Sequence, residues 1–90
     1  MKKYQIKFKN SSVEGSWYSL ASDMPEPMER CKQFLQENPE DRLKSGGKLK
    51  KLKGKLSGVL QYDITGKARI QYWVDRVQRI VYAEYVGYHP

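Results

Sequence analysis

The chain has 90 residues, which suffice for one domain with a modest core, and its 39% hydrophobic content is typical of a globular protein. Its net charge of +7 is uneven, because residues 1–41 sum to −1 and residues 42–90 to +8. The basic second half indicates either a polyanionic partner or a solvated lysine-rich face. A single cysteine excludes an internal disulfide, and with one histidine it cannot complete a tetrahedral zinc site, so we predict neither a metal nor a cofactor.

The N-terminal region predicts a strand. Tyr4, Ile6 and Phe8 alternate with polar side chains, which is the period of a half-buried strand. This alternation differs from the apolar run of a signal peptide, and no segment has the length of a membrane span. Together with the unpaired Cys31, these features predict a cytoplasmic protein without a membrane partner.

Two helices are predicted to follow the strand. Ser11 or Ser12 is expected to cap the first helix, and Pro25 with Pro27 to end it and begin the second. Asn38, which precedes a proline, is expected to end the second helix. Apolar side chains recur at helical spacing in both segments. We interpret them, including the cysteine of the second helix, as core residues that pack on a sheet.

The second half predicts a loop and three strands. Residues 40–58 are rich in lysine and glycine and are expected to form a loop, with strands near residues 59–64, 68–75 and 79–87. The order of elements predicts an α+β fold, β-α-α-β-β-β, in which a helical hairpin packs on a small, mostly antiparallel sheet.

The middle one of these three strands has two different faces. Ile70, Tyr72 and Val74 share one face and alternate with an arginine, a glutamine and a tryptophan on the other. If the helices cover the apolar face, Arg69 and Trp73 point into a cleft or into solvent. Both are therefore candidate functional residues.

The second half contains a series of short motifs in a fixed order. They are Leu52-Lys53-Gly54, Leu56-Ser57-Gly58, Ile64-Thr65, Arg69, Tyr72, Val74 and Tyr88-His89. Together with the order of elements and the glycine-lysine loop, these residues resemble the RelE/ParE toxin superfamily, and within it the YoeB-type branch of RelE-like messenger-RNA interferases. They follow the spacing of that branch almost without a gap as far as the valine, whereas the first half matches only as a pattern of elements. The resemblance implies a single RelE-like toxin domain over residues 1–90.

What the resemblance implies for function is a toxin of a type II toxin–antitoxin system that enters the ribosomal A site, cleaves messenger RNA there and inhibits translation. In this endoribonuclease reaction a ribose 2′-OH attacks the adjacent 3′-phosphate without a metal ion. The products are a cyclic phosphate and a free 5′-OH. The implied partners are messenger RNA in the A site, 16S rRNA and a cognate antitoxin.

The resemblance also implies roles for particular residues. Arg69 matches the arginine that clamps the phosphate, and a guanidinium suits this role because it is planar and always charged. His89 matches the histidine that donates a proton to the leaving oxygen. Lys50 stands where the YoeB-type branch has a carboxylate base, and a lysine can replace that base only if neighbouring cations favour its neutral form. Pro90 stands where the last residue is usually aromatic, and Tyr88 is the candidate to replace it.

Further cations and aromatic side chains are candidates for binding RNA. Lysines of the loop are expected to hold phosphates, and exposed aromatic side chains to stack on a splayed base. These candidates are Lys48, Lys51, Lys53, Lys55, Trp73 and Tyr85.

Two other functions remain open. A ParE-like toxin on the same fold would inhibit DNA gyrase by binding, without a nucleolytic centre. A basic RNA-binding relative would have lost catalysis, and Lys50 in place of a carboxylate favours this reading. The site residues also have structural alternatives, since Arg69 could pair with Asp63 or Asp75, and His89 could have no role.

Overall fold

The computed structural model describes residues 3–54 and 58–88, so the predicted site residues Lys55 and His89 lie outside the described residues. Within these ranges the chain forms two helices and five strands. In chain order they are β1 (Gln5–Phe8), α1 (Ser11–Asp23), α2 (Pro25–Glu37), β2 (Leu49–Lys51), β3 (Leu60–Asp63), β4 (Ala68–Asp75) and β5 (Ile80–Tyr88). The predicted α+β class is confirmed, with β2 added to the predicted order of elements.

The strands form one sheet in the order β1-β5-β4-β3-β2. β1 lies parallel to β5, whereas the other neighbouring strands are antiparallel. The first and last strands are therefore neighbours, and β4 and β5 lie in the interior of the sheet. Side chains that project from these two strands are consequently surrounded by other strands on both sides.

Both helices pack on the same face of the sheet. α1 contributes Trp17 and Leu20 to the core, α2 contributes Cys31 and Leu35, and the strands contribute alternate side chains. The interpretation of Cys31 as a core residue is confirmed, because its side chain is fully buried. Neither helix in the described part of the chain has the length and hydropathy that crossing a membrane requires.

The cap of α1 differs from the prediction. Asn10, and not Ser11 or Ser12, precedes the helix, and its Oδ1 accepts a hydrogen bond of 3.0 Å from the N–H of Val13. Asparagine and serine cap helices about equally well, so the cap depends on where β1 ends, which a residue pattern locates only approximately. The proline prediction is confirmed, because α2 begins at Pro25.

β2 lies in the segment predicted to be a loop, and the prediction is wrong for these three residues. Leu49 is buried opposite Tyr62 of β3, whereas Lys50 and Lys51 are exposed. A three-residue segment with two lysines has little strand propensity of its own. Pairing with β3 and burial of one leucine override that local preference.

β4 has the two faces that its sequence predicts. Ile70 and Tyr72 are fully buried in the core, whereas Arg69 and Trp73 are not. The hydroxyl of Tyr72 donates a hydrogen bond to the backbone carbonyl of Pro39, which follows α2. Burial raises the pKa of the Tyr72 hydroxyl, so it remains a donor at neutral pH. This bond connects the interior of the sheet to the chain that leaves the helical layer.

Candidate functional site

The sheet face opposite the helices carries a continuous set of polar and aromatic side chains, which we call the open face. It consists of Lys50 from β2, Gln61 and Asp63 from β3, Arg69, Gln71 and Trp73 from β4, and Tyr82 and Tyr85 from β5. Side chains alternate between the two faces along each strand, and register partners on neighbouring strands project from the same face. These side chains therefore lie on one side of the sheet. Trp73 and Tyr85 remain 39% and 38% exposed, so the face is accessible to a ligand.

A chain of polar contacts runs across three strands of the open face. The Nζ of Lys50 lies 3.1 Å from Oδ2 of Asp63. The other carboxylate oxygen, Oδ1, accepts a hydrogen bond of 3.0 Å from Nε2 of Gln61, whose Oε1 in turn accepts one of 3.1 Å from Nε2 of Gln71. Gln61 is only 6% exposed, and these two bonds satisfy its buried amide. The chain fixes the orientation of the Asp63 carboxylate.

Arg69 lies at the centre of the open face, and it has no ion-pair partner among the described residues. It is opposite Asp63 of β3 and Gly87 of β5 in the sheet register. Its guanidinium carbon lies 5.6 Å from the ring centroid of Tyr85, within the range of a cation–π contact. Its Nε is buried and has no hydrogen-bond acceptor among the described residues. A guanidinium that has no carboxylate partner among the described residues is suited to bind an anionic oxygen.

The structural alternatives for Arg69 are not found. Among the described residues no carboxylate forms an ion pair with its guanidinium, and the nearby Asp63 pairs with Lys50 instead. The carboxylate of Asp75 accepts a hydrogen bond from the backbone N–H of Gln78 in the hairpin turn. The charge of the arginine is therefore not neutralised by either aspartate that the sequence suggested.

Tyr85 is held beside Arg69 by its surroundings in β5. Its hydroxyl donates a hydrogen bond of 2.8 Å to the backbone carbonyl of Tyr88. The ring passes over Gly87, where an added Cβ would lie only 2.9 Å from the hydroxyl oxygen. A glycine at this position therefore gives the tyrosine room to lie along the strand, against the arginine. The position of Tyr85 is compatible with the predicted contact to a base.

The other end of the open face is aromatic. Trp73 and Tyr82 stack with ring centroids 4.3 Å apart and an interplanar angle of 18°. A bulge between Gln71 and Tyr72 leaves one extra residue in β5, so Tyr82 and Tyr85 project from the same side although they are three residues apart. Tyr82 covers one face of the Trp73 ring, and Trp73, which remains 39% exposed, is suited to stack with an unpaired base.

The structure does not bring Tyr88 to Arg69. Tyr88 is opposite Ala68 in the register, and its hydroxyl donates a hydrogen bond of 3.0 Å to Oδ2 of Asp23 at the end of α1. This hydrogen bond raises the pKa of the Tyr88 hydroxyl. Its side chain thus lies on the helical side of the sheet. On that side its hydroxyl is bonded to the carboxylate of Asp23.

The predicted lysines do not form one cluster. Lys50 belongs to the open face, whereas Lys48 lies on the helical side, with its Nζ 5.9 Å from the ring centroid of Tyr62. Lys51 lines a hollow with Glu40 on that same side. Lys53 is exposed in the segment that follows β2. The crowding of cations on which the base role of Lys50 depends is thus not seen among the described residues, where its charged neighbour is a carboxylate.

Sequence reasoning missed several residues of this site. Gln61 and Gln71 are ordinary polar positions until the register of β3 and β4 is known, and Gly87 is notable only because a ring lies over it. Asp63 was considered only as a partner of Arg69. The signal that could have identified it is its spacing, because Gln61 and Asp63 share a face of β3 that continues the arginine's face of β4.

The fold is similar to that of solved toxin structures, although no protein-family model and no curated protein sequence matches the chain. The toxin chain of the YoeB–YefM toxin–antitoxin complex from Staphylococcus aureus is 17% identical, with a TM-score of 0.67 over 97% of this chain and 98% of that one. The YoeB/ParE toxin from Agrobacterium tumefaciens is 16% identical, with a TM-score of 0.68 over 96% of this chain and 99% of that one.

A third solved structure, the toxin–antitoxin complex RelBE2 from Mycobacterium tuberculosis, matches at 19% identity and a TM-score of 0.65, over 99% of this chain and 94% of that one. All three similarities extend over nearly the whole length of both chains, and at this identity they concern the fold. The chain therefore has a RelE/YoeB-like toxin fold.

Proposed function

We propose that this chain is the toxin of a type II toxin–antitoxin system and that it cleaves messenger RNA on the ribosome. The observation that carries the proposal is Arg69, a guanidinium at the centre of an accessible sheet face, in contact with Tyr85 and without an ion pair among the described residues. The fold supports it, since the similar structures are toxins of YoeB, ParE and RelE type.

The proposed reaction is a transesterification within the RNA chain. The 2′-oxygen of a ribose forms a bond to the adjacent phosphorus, the bond from phosphorus to the 5′-oxygen breaks, and a cyclic phosphate and a 5′-OH result. The reaction requires a base for the 2′-OH, an acid for the leaving oxygen and a cation at the phosphate. No step requires a metal ion.

Arg69 supplies the cation in this proposal. Its planar fork of N–H groups binds two non-bridging oxygens and stabilises the charge that builds up on them. His89 supplies the acid; it lies outside the described residues, but it follows Gly87, the residue opposite Arg69 in the register, by two positions in the sequence. Trp73 and Tyr85 stack on neighbouring bases.

The basic second half of the chain holds the RNA and the ribosome in this proposal. Lys48, Lys51, Lys53 and Lys55 contact phosphates of the messenger and of 16S rRNA, and they add affinity without sequence preference. A cognate antitoxin inhibits the toxin, as the complexes among the similar structures suggest. An antitoxin segment with acidic residues would complement the net charge of +7.

The test is translation of a defined message in vitro with the purified chain, followed by mapping of the 5′ ends. We expect cuts at codon-defined positions only when ribosomes are present. A parallel assay of DNA gyrase supercoiling tests the second candidate, which the YoeB/ParE description of the Agrobacterium tumefaciens structure favours. An intact message with inhibited gyrase would replace the nuclease proposal by this one. An intact message with active gyrase would leave a catalytically inactive RNA-binding relative.

A further inference from the structure

The proposed cleavage needs a base, and Asp63 is the carboxylate that the strand register places opposite Arg69 on the open face. The position at which a base was expected carries Lys50, whose Nζ forms an ion pair with this carboxylate. We propose that Asp63 is the general base that accepts the proton of the 2′-OH. This inference rests on the proposed function and adds a catalytic residue to it.

The position of Asp63 relative to Arg69 suits this role. The two residues are direct register partners on neighbouring strands and project from the same face. Their side chains lean apart, because the guanidinium lies against Tyr85 of β5 and the carboxylate is held by Lys50 of β2. A phosphodiester clamped by the arginine would therefore lie between the two groups, with the attacking ribose toward β3 and the leaving oxygen toward β5.

The carboxylate is accessible and oriented. The side chain of Asp63 is 24% exposed, so a ribose can approach it. Each of its oxygens has one protein partner, Lys50 at Oδ2 and Gln61 at Oδ1, and each retains a further lone pair that can accept a hydrogen bond from a hydroxyl. Lys50 and Gln61 are then positioning residues, which hold the base without contacting the reacting atoms.

The proton balance of the step is complete. As the 2′-oxygen bonds to phosphorus, its proton passes to the carboxylate of Asp63, and the departing 5′-oxygen takes a proton from His89. The cyclic phosphate is the product, and neither an oxidant nor another co-reactant is required. The base acts from β3, on one side of Arg69, and an in-line displacement then places the leaving oxygen on the other side of the phosphorus.

The experiment measures single-turnover cleavage of a message in the ribosomal A site by wild type and four variants. Asp63→Asn keeps the size of the side chain and its bond to Gln61 but cannot accept the proton, so we expect a loss of about 100-fold or more. Asp63→Glu should retain part of the rate. Lys50→Gln removes only positioning and should cost less than about 10-fold. Glu29→Gln, on the exposed surface of α2, is the matched control and should behave as wild type.

The pH profile separates a base from a structural aspartate. The wild-type rate should rise with pH in the acidic range, and Asp63→Asn should lack this limb while keeping its fold, judged by circular dichroism and urea unfolding. Among the described residues, Lys50 from β2 and Arg69 from β4 are the charged groups that face the carboxylate. An unchanged acidic limb in Asp63→Asn, or a wild-type rate in that variant, would disprove the assignment.

The two proposals can fail separately. If wild type cuts the message and Asp63→Asn cuts it equally fast, only the role of Asp63 is wrong. If Lys50→Gln loses the most activity while Asp63→Asn remains within a few-fold of wild type, Lys50 is the base and our assignment is also wrong. If wild type leaves the message intact with ribosomes present, the proposed function and the base assignment both fall.

Discussion

On the open face, the side chain of Arg69 is held in place by uncharged neighbours. Tyr85 lies against its guanidinium, and Gly87 leaves the space that the tyrosine ring needs. Strand alternation in the sequence predicts which way Arg69 and Trp73 point. The same alternation separates Tyr85 from Tyr88, because residues three apart in a regular strand face opposite sides. Tyr82 and Tyr85 are also three residues apart, but they project from the same side because of a bulge. The residue pattern does not predict this bulge.

Removing the phosphate clamp or the acid should abolish most of the proposed activity. We expect Arg69→Ala and His89→Ala each to slow cleavage on the order of 100-fold or more, since each removes a group that acts in the transition state. Arg69→Lys should recover little, because a lysine lacks the planar fork. Rates from single-turnover assays test this, with Arg30→Ala, an exposed arginine of α2, as the control. Wild-type rates in both alanine variants would remove these residues from the site.

Gly87→Ala tests whether the ring of Tyr85 positions the arginine. The added methyl group would meet the tyrosine hydroxyl at 2.9 Å, so the ring must move away from Arg69. We expect a moderate loss of cleavage, smaller than that of Arg69→Ala, with little change in stability because the displaced atom is the end of a side chain. Gly66→Ala, in an open turn where a Cβ meets nothing within 4 Å, is the control. Equal rates for both variants would show that the contact has no role.

At the scale of elements, the helical hairpin, β1 and the three strands β3, β4 and β5 follow from the residue pattern, whereas β2 does not. Its lysines give no signal, and its formation depends on the exposed edge of β3 and on the burial of Leu49. The position of Lys50 beside Asp63 could therefore not be derived from the sequence. β4, in contrast, is identifiable from its alternation, and its central Tyr72 forms the bond that joins the sheet to the segment after α2.

Tyr72→Phe should destabilise the protein without changing its fold. The variant removes the hydroxyl that donates to the carbonyl of Pro39 and leaves this buried acceptor without its partner. We expect a decrease of about 1–3 kcal/mol in the free energy of unfolding, measured by urea denaturation. Tyr18→Phe is the control, because that residue is 63% exposed. A midpoint equal to that of wild type would mean that the bond contributes nothing to stability.

The turn between β4 and β5 is attached to the segment after α2 by an ion pair whose effect depends on pH. Arg76 donates hydrogen bonds of 2.8 and 2.7 Å to the carboxylate of Glu40, and these bonds lower the pKa of that carboxyl group. A lowered pKa in the folded state contributes stability above the unfolded value, about 4.3, and the contribution disappears as the pH falls through the folded value. The pair is largely exposed, so the contribution is small.

Glu40→Gln should therefore lower the urea midpoint slightly at pH 7, and the difference from wild type should shrink as the pH falls below about 4. The measurement is a set of urea unfolding curves across this pH range. Glu29→Gln, an exposed carboxylate of α2, should show no such trend. A difference from wild type that stayed constant with pH would contradict the role of the ionised carboxylate.

At the scale of the whole molecule, the structure shows where several of the basic side chains of residues 42–90 lie. The basic side chains of the second half are found on both sides of the sheet, since Lys50 belongs to the open face and Lys48 and Lys51 lie on the helical side. A flat surface that met RNA on one side would not need this distribution. Cations on both sides of the sheet suit a binding site in which RNA surrounds the protein, such as the proposed ribosomal A site.

Neutralising a single one of these lysines should weaken binding and make it less sensitive to salt. For Lys53→Ala we expect the slope of log K against log salt to become shallower by about 0.7–0.9, one phosphate contact. Binding to ribosomes programmed with a fluorescent message, measured at several potassium chloride concentrations, gives this slope. Lys7→Ala, on β1 at the opposite edge of the sheet, should leave it unchanged. A slope for Lys53→Ala equal to that of wild type would mean that this lysine contacts no phosphate.

The rate at which Cys31 is chemically modified can report how often the protein opens. The thiol is enclosed between the helical hairpin and the sheet, and burial raises its pKa, so the reactive thiolate is scarce at neutral pH. An alkylating reagent can therefore modify it only during moments when the hairpin separates from the strands. Because it is the single cysteine of the chain, the rate of its modification would report those openings directly, in the free protein or with an inhibitor bound.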